Sequence, residues 1–337
     1  MDLFNSGLGK NITFARPAYF IISGFIGIPN VIYYYVFLCI VYIVSVLGNT
    51  VVMTVIYLDR SLRTPKYIAV FNLAFVDLFG STVLVPKVLD LFLFNHRLIS
   101  YNDCLTFLFF CYLYLSLEVF NLMTLSYDRL IAITFPLHYP VMVTNRFMFS
   151  LITSFWLFVI TVNLTAVGLL TRLSFCNSNT VLVNSYFCDH GVIYREACND
   201  QTPSWAFAKL AAALFLWIPL CFILATYLCI GYALSKVASA KERVKALKTC
   251  TAHLSLVAIY FVPVLITFTA LGSITVNSRI INMSLASVVP PMLNPIVYVL
   301  QTREIKKSVK SLDKNVSKIP AEISENIQVI SNTYNVV

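Results

Sequence analysis

Seven apolar runs, each at least 18 residues long, constrain this chain more than any other feature: about 31–58, 66–94, 104–134, 147–171, 205–235, 246–272 and 279–301. Crossing a ~30 Å hydrocarbon core takes roughly 20 helical residues, so every run is long enough to span a bilayer. None shows the polar and apolar alternation over ~10-residue segments that a membrane barrel requires. The runs therefore read as helices. The expected fold class is an all-α membrane protein, a seven-transmembrane helix bundle over 31–301 with an outer tail at 1–30 and a cytoplasmic tail at 302–337. With 59% hydrophobic and 12% charged residues among 337, a water-soluble globule could not cover its surface with polar groups.

Positive charge sets the direction of the bundle. Of 24 Lys and Arg, sixteen fall on one side of the spans: Arg60, Arg63, Lys66, Arg129, Arg146, Lys236, Lys241, Arg243, Lys245, Lys248, Arg303, Lys306, Lys307, Lys310, Lys314 and Lys318. The positive-inside rule makes that side cytoplasmic, with the N-terminus outside and, after an odd number of crossings, the C-terminus inside. The net charge of +9 is then a signal of orientation and membrane-lipid contact, not a nucleic-acid footprint. The first 30 residues lack the succession of basic, apolar and small residues that marks a cleaved signal peptide, which leaves targeting to span one. Asn11-Ile12-Thr13 is a glycosylation sequon in the outer tail, whereas the sequons at Asn163 and Asn282 lie within spans and that at Asn315 is cytoplasmic.

Of nine cysteines, Cys39, Cys111, Cys221, Cys229 and Cys250 lie inside spans and read as small buried hydrophobes. Cys104, Cys176, Cys188 and Cys198 lie outside, an even set that implies two disulfides in an oxidising compartment with three pairings open. Their spacing fits no common zinc site.

Ionisable groups at mid-membrane cost several kcal/mol and mark function. Asp77 in span two and Glu118 in span three sit at similar depth with no Lys or Arg beside them, so they need a shared cation or at least one proton. Asn49 and Asn294 could complete an oxygen-rich pocket, which suits sodium or a proton better than a transition metal. Two neutral acids bonded to backbone are the plainer account. Pro290, Pro291 and Pro295 remove backbone donors from span seven and are expected to kink it. Gln301 to Val309 reads as a short amphipathic helix on the membrane surface. Catalysis has no motif: His96, His138, His190 and His253 fall in separate segments, and no other constellation of catalytic or phosphate-binding residues stands out. An ion-coupled transporter or channel using Asp77 and Glu118 is the main alternative function, but the two halves show no internal repeat.

Several motifs, in order and covering nearly the whole chain, together resemble the rhodopsin-like G-protein-coupled receptors, and more closely the odorant receptors. They are Gly48-Asn49, Leu73-Ala74-Phe75-Val76-Asp77, Leu84-Val85-Pro86-Lys87-Val88-Leu89, Leu125-Ser126-Tyr127-Asp128-Arg129-Leu130, Lys245-Ala246-Leu247-Lys248-Thr249-Cys250-Thr251-Ala252-His253 and Pro291-Met292-Leu293-Asn294-Pro295-Ile296-Val297-Tyr298. Glu118 opposite Asp77 is similar to the odorant receptors too. Val289-Pro290-Pro291 with Thr302-Arg303-Glu304-Ile305 is similar to the class I, or fish-like, branch. Leu130 departs from the common Tyr after the Arg.

The resemblance implies a disulfide from Cys104 to Cys188, leaving Cys176 to pair with Cys198. It implies a small odorant as ligand, held in the outer half by Leu108, Cys111, Tyr112, Leu115, Ser116, His190, Ala208, Ala211, Ala212, Phe215, Phe261, Val264, Phe268, Gly272 and Ser287. Tyr112 and His190 could bond a polar group on the ligand. Some class I receptors place an Arg where this chain has Gly272, so a fatty acid is not implied. The partner implied is a heterotrimeric G protein of the stimulatory olfactory type, raising cyclic AMP, at the plasma membrane of sensory cilia. Coupling and switching would run through Asp128, Arg129, Tyr227, His253, Asn294, Pro295 and Tyr298, with Arg129 paired to Asp128 at rest and uncovered as span six swings out. No cofactor is expected beyond the sodium at Asp77 and Glu118, and no enzymatic activity.

Overall fold

The computed structural model describes residues 15–176, 179–237, 239–269, 274–301 and 304–309. Among them, seven helices are long and apolar enough to cross a membrane: Ile32–Leu58, Pro65–Phe92, Tyr101–Thr134, Asn145–Thr171, Thr202–Ser235, Ala240–Thr269 and Val276–Val299, spans one to seven. The sixth begins upstream of its apolar run, because Lys241, Glu242 and Arg243 continue the helix beyond any bilayer. Asn11, Gly272, Arg303, Lys310, Lys314, Asn315 and Lys318 lie outside the described residues.

Local chemistry starts each helix where the sequence allows it. Pro65 opens span two, where a missing backbone donor costs nothing. Ser100 caps span three by accepting from the Asp103 amide (3.2 Å), and Thr144 caps span four by accepting from the Phe147 amide (3.2 Å). Span five is interrupted by one π-helical turn, Ala213–Trp217, just before Pro219. A proline there cannot donate to the carbonyl of residue 215, and the widened turn accommodates the missing bond.

Span three is the axis of the bundle: 72% of its apolar window is buried, against 17% for span four at the periphery. Large apolar side chains such as Tyr33, Leu47, Leu164 and Leu228 are exposed on the outside, the belt that hydrocarbon would cover.

One end carries a lid. Strand β1 (Tyr19–Ile22) lies between β2 (Leu98–Ser100), to which it is antiparallel, and β3 (Thr180–Val183), to which it is parallel. The N-terminal segment thereby holds together the loop before span three and the long loop before span five. Phe20 and Ile22 alternate inward and are fully buried against Ile99, Tyr101, Phe175 and Val183. The two disulfides, Cys104–Cys188 and Cys176–Cys198, each with Cα atoms 5.6 Å apart, tie the same loop to span three and to itself.

Candidate functional site

The buried polar groups form three layers along the bundle axis. In the middle layer Asp77 and Glu118 are 0% and 1% exposed. Their carboxyl groups lie within mutual hydrogen-bonding reach. Asn294 Nδ2 donates to Asp77 Oδ2 at 2.9 Å. Asp77 Oδ1, Glu118 Oε1 and Asn294 Oδ1 remain buried with no protein partner. Three orphaned oxygens within a set of carboxyl and amide groups are suited to a hard cation or to a proton shared by the acids.

Asn49 does something different from what its depth suggests. Its Nδ2 donates to the backbone oxygens of Ser45 and Pro291, both at 2.9 Å, and not to the acids. The reason lies in span seven: Pro295 has no amide to give the carbonyl of Pro291, and Asn49 supplies the missing donor from span one. Gly48 permits the approach, since a Cβ there would sit 2.7 Å from Cγ of Pro295.

Of the positions expected to meet a ligand, Leu108, Cys111, Tyr112 and Ala208 pack in the cluster under the sheet, whereas Phe261 and Val264 belong to a cluster of spans three, five and six, and Leu115 and Phe215 to one of spans three and four. Leu108, Cys111, Ser116, His190, Phe261, Val264 and Ser287 are buried, and Tyr112, Leu115, Ala208, Ala211, Ala212 and Phe215 are partly buried. Tyr112 is already engaged, its hydroxyl donating to Asp189 Oδ1 at 2.9 Å, while the same oxygen accepts from the Gly191 amide at 2.8 Å. This bond and the Cys104–Cys188 bridge fasten the loop to span three. His190 Nε2 is buried without a partner, and its ring lies against Tyr194 and Phe207. Burial holds its imidazole at about 4, well below the ordinary histidine range, although Asp189 opposes the shift. Two positions turn elsewhere. Phe215 packs between Phe120 and Phe158 on the side of spans three and four, and Phe268 is 43% exposed while neighbouring Thr267 is buried.

At the opposite end, Asp128 accepts a 2.6 Å hydrogen bond from the Tyr139 hydroxyl. The expected pairing with Arg129 is therefore corrected: among the described residues the ion pairs are those of Asp90 with Lys87 and His96, and Asp128 has a tyrosine partner instead. Tyr139 sits on the short helix Tyr139–Met142 after span three, which the apolar runs did not reveal. Tyr227 and His253 join spans five and six through a 2.7 Å contact of hydroxyl and Nδ1 with stacked rings. Tyr298 is buried close by in the core of that end with Leu125 and Tyr67.

The sequence profile of the olfactory receptor family matches residues 38–314. Among curated relatives, human olfactory receptor 52I2 is 31% identical over 316 residues, covering 92% of this chain and 90% of the relative. Mouse olfactory receptor 1E16 is 34% identical over 278 residues, covering 82% and 88%, and human olfactory receptor 4E2 is 33% identical over 272 residues, covering 81% and 86%.

Proposed function

The chain belongs to the olfactory receptor family, and from that premise we propose how this odorant-sensing receptor, a multi-pass plasma-membrane protein and not an enzyme, performs its task. A small odorant binds beneath the sheet and shifts the bundle toward a state in which the opposite end engages a stimulatory olfactory-type G protein, raising cyclic AMP. That opposite end is cytoplasmic, as its excess of Lys and Arg requires. Val289-Pro290-Pro291 favours the class I branch.

The observation that carries the reading is the pairing of a buried, mostly apolar layer under the sheet with a hydrogen-bonded layer at the far end. Beneath the sheet, His190 Nε2 is a buried group with no partner, suited to a weakly polar ligand among apolar walls. At the far end, Tyr227–His253 fastens spans five and six, and Tyr139 occupies Asp128, which leaves Arg129 free of a carboxylate. A ligand acts only through differential affinity for the two arrangements.

Between these ends, Asp77, Glu118 and Asn294 would hold a sodium ion, which neutralises the acids and favours the arrangement that keeps all three side chains together. A proton shared by Asp77 and Glu118 would serve the same side chains. The function is tested in cells expressing the chain, screened with water-soluble and volatile odorants for cyclic AMP. A response that Arg129→Ala abolishes at unchanged surface level supports the reading. Normal signalling by that variant, or ligand-driven ion flux without G protein, would overturn it.

A further inference from the structure

The stretch 304–309 beyond span seven is hydrogen-bonded to the loop between spans one and two through Asp59. Asp59 caps the turn Arg60–Leu62, its Oδ1 accepting from the Ser61 amide (2.9 Å) and hydroxyl (2.7 Å). Its Oδ2 accepts from the hydroxyl of Ser308 at 2.5 Å. Hydrogen bonds from Ser308 first and Ser61 second hold the Asp59 carboxyl below the usual carboxylate range. Ser308 lies on the helical stretch 304–309 beyond span seven. Ile305 anchors that stretch, fully buried among Val52, Leu62, Tyr67 and Tyr298, while Lys306 and Lys307 are exposed.

Two features of Ser308 converge. Its hydroxyl is the donor that joins the terminal helix to Asp59, and it directly follows two exposed lysines, charge complementary to an acidic substrate cleft. We propose that Ser308 is a phosphorylation site for an ATP-dependent serine kinase that selects basic residues just before its target, and that the phosphate releases the terminal helix from the first loop. In the transfer, Ser308 Oγ forms a bond to the γ-phosphorus of ATP as the bond from that phosphorus to the β,γ-bridging oxygen breaks. ADP leaves, and the hydroxyl proton passes to the kinase base. The product exchanges a neutral donor for a group of charge about −1.5 to −2 facing the Asp59 carboxylate, with Glu304 one helical turn back on the same helix. A bond becomes a repulsion, the packing of Ile305 and Val309 is left to hold the helix, and the cover over Tyr67 and Tyr298 at the coupling end is weakened.

The inference rests on the reading that this end is cytoplasmic, where ATP is found. A nanodisc exposes both faces, so the following test addresses the phosphate alone, and thiol labelling in intact cells tests orientation separately. The full chain in nanodiscs is incubated with a basophilic serine kinase and magnesium ATP, the phosphate is mapped by tandem mass spectrometry, and amide hydrogen exchange is followed over 59–68 and 304–309. Phosphate on Ser308, absent in Ser308→Ala, should accelerate exchange over 304–309 about tenfold. In Asp59→Asn the amide can donate to the phosphate, and the acceleration should fall to about twofold or less. Ser308→Thr keeps the hydroxyl and should be modified like wild type, which guards against misfolding of the alanine variant. No phosphate on Ser308 under conditions that fully modify a peptide substrate would overturn the proposal. So would a phosphorylated chain whose exchange is unchanged.

Discussion

Gly80 lies one helical turn beyond Asp77, and its lack of a side chain decides how closely spans two and three approach. A Cβ at this position would overlap Cγ, Cδ2 and Cε2 of Tyr114. These atoms belong to the root and edge of a fully buried ring, so no flexible end can move aside. The ring is also held at its far side, where the hydroxyl donates to the backbone oxygen of Ser287 in span seven at 2.7 Å. Gly80→Ala must therefore displace Tyr114. Overpacking of this kind costs about 1–3 kcal/mol, and a buried hydroxyl that loses its acceptor costs about 1–3 kcal/mol more. At about 2 °C per kcal/mol for a chain of this size, the sum lowers the midpoint of thermal denaturation by about 4–12 °C. The assay is loss of the monodisperse peak of solubilised receptor on heating, for wild type, Gly80→Ala, Tyr114→Leu and the double variant. If the overlap is the cause, alanine at 80 should cost little once the ring at 114 is gone. A Gly80→Ala receptor as stable as wild type, or an equal penalty in both backgrounds, would refute the reasoning.

Loss of either half of the roof bridge, by Cys104→Ser or Cys188→Ser, should remove about 2–5 kcal/mol and reduce surface delivery measured by flow cytometry; normal delivery of both variants would count against a structural role. For His190, whose folded-state value of about 4 lies below the ordinary 6.5, the neutral form is the one the fold prefers. Stability is full above about 6.5 and falls as pH drops toward 4, by about 3 kcal/mol at 1.36 kcal/mol per pH unit; His190→Gln should flatten that part of the stability-against-pH curve. Replacing sodium with a large organic cation at constant ionic strength should lower the thermal stability of the unliganded wild type and raise odorant potency, and Glu118→Gln should blunt both changes. Identical wild-type curves in both salts would leave the shared proton as the account of the acid pair.

The seven spans were legible because a helix in hydrocarbon must satisfy its own backbone and so leaves a long unbroken apolar run in the sequence. Asp77 and Glu118 were legible for the complementary reason, since a carboxylate in such a run is conspicuous. What the runs could not reveal was which partner each polar group meets. Asn49 stood out by depth, yet its amide serves a carbonyl that Pro295, 246 positions later, leaves without a donor. Asp128 seemed destined for its neighbour Arg129, but a helix turns adjacent side chains apart, and Tyr139 reaches it from the following loop. Strand β1 had no signal of its own: Tyr19-Phe20-Ile21-Ile22 is short, and it becomes a strand only between two loops that are remote in sequence.

That remoteness imposes a timetable on biosynthesis. The central strand of the roof is made before every span, but its parallel neighbour β3 lies about 160 residues further along the chain. At roughly 5–20 residues per second, about 10–30 s of translation separate them. The strand waits with both edges unpaired until β2 follows about 80 residues on, and with the edge that β3 will cover open until residue 180, while the first four helices enter the membrane. Retention of the waiting chain by a chaperone on the sheet's side of the membrane would then be governed by how soon β3 arrives, and a pause in translation upstream of residue 180 should lengthen retention more than an equal pause after span seven.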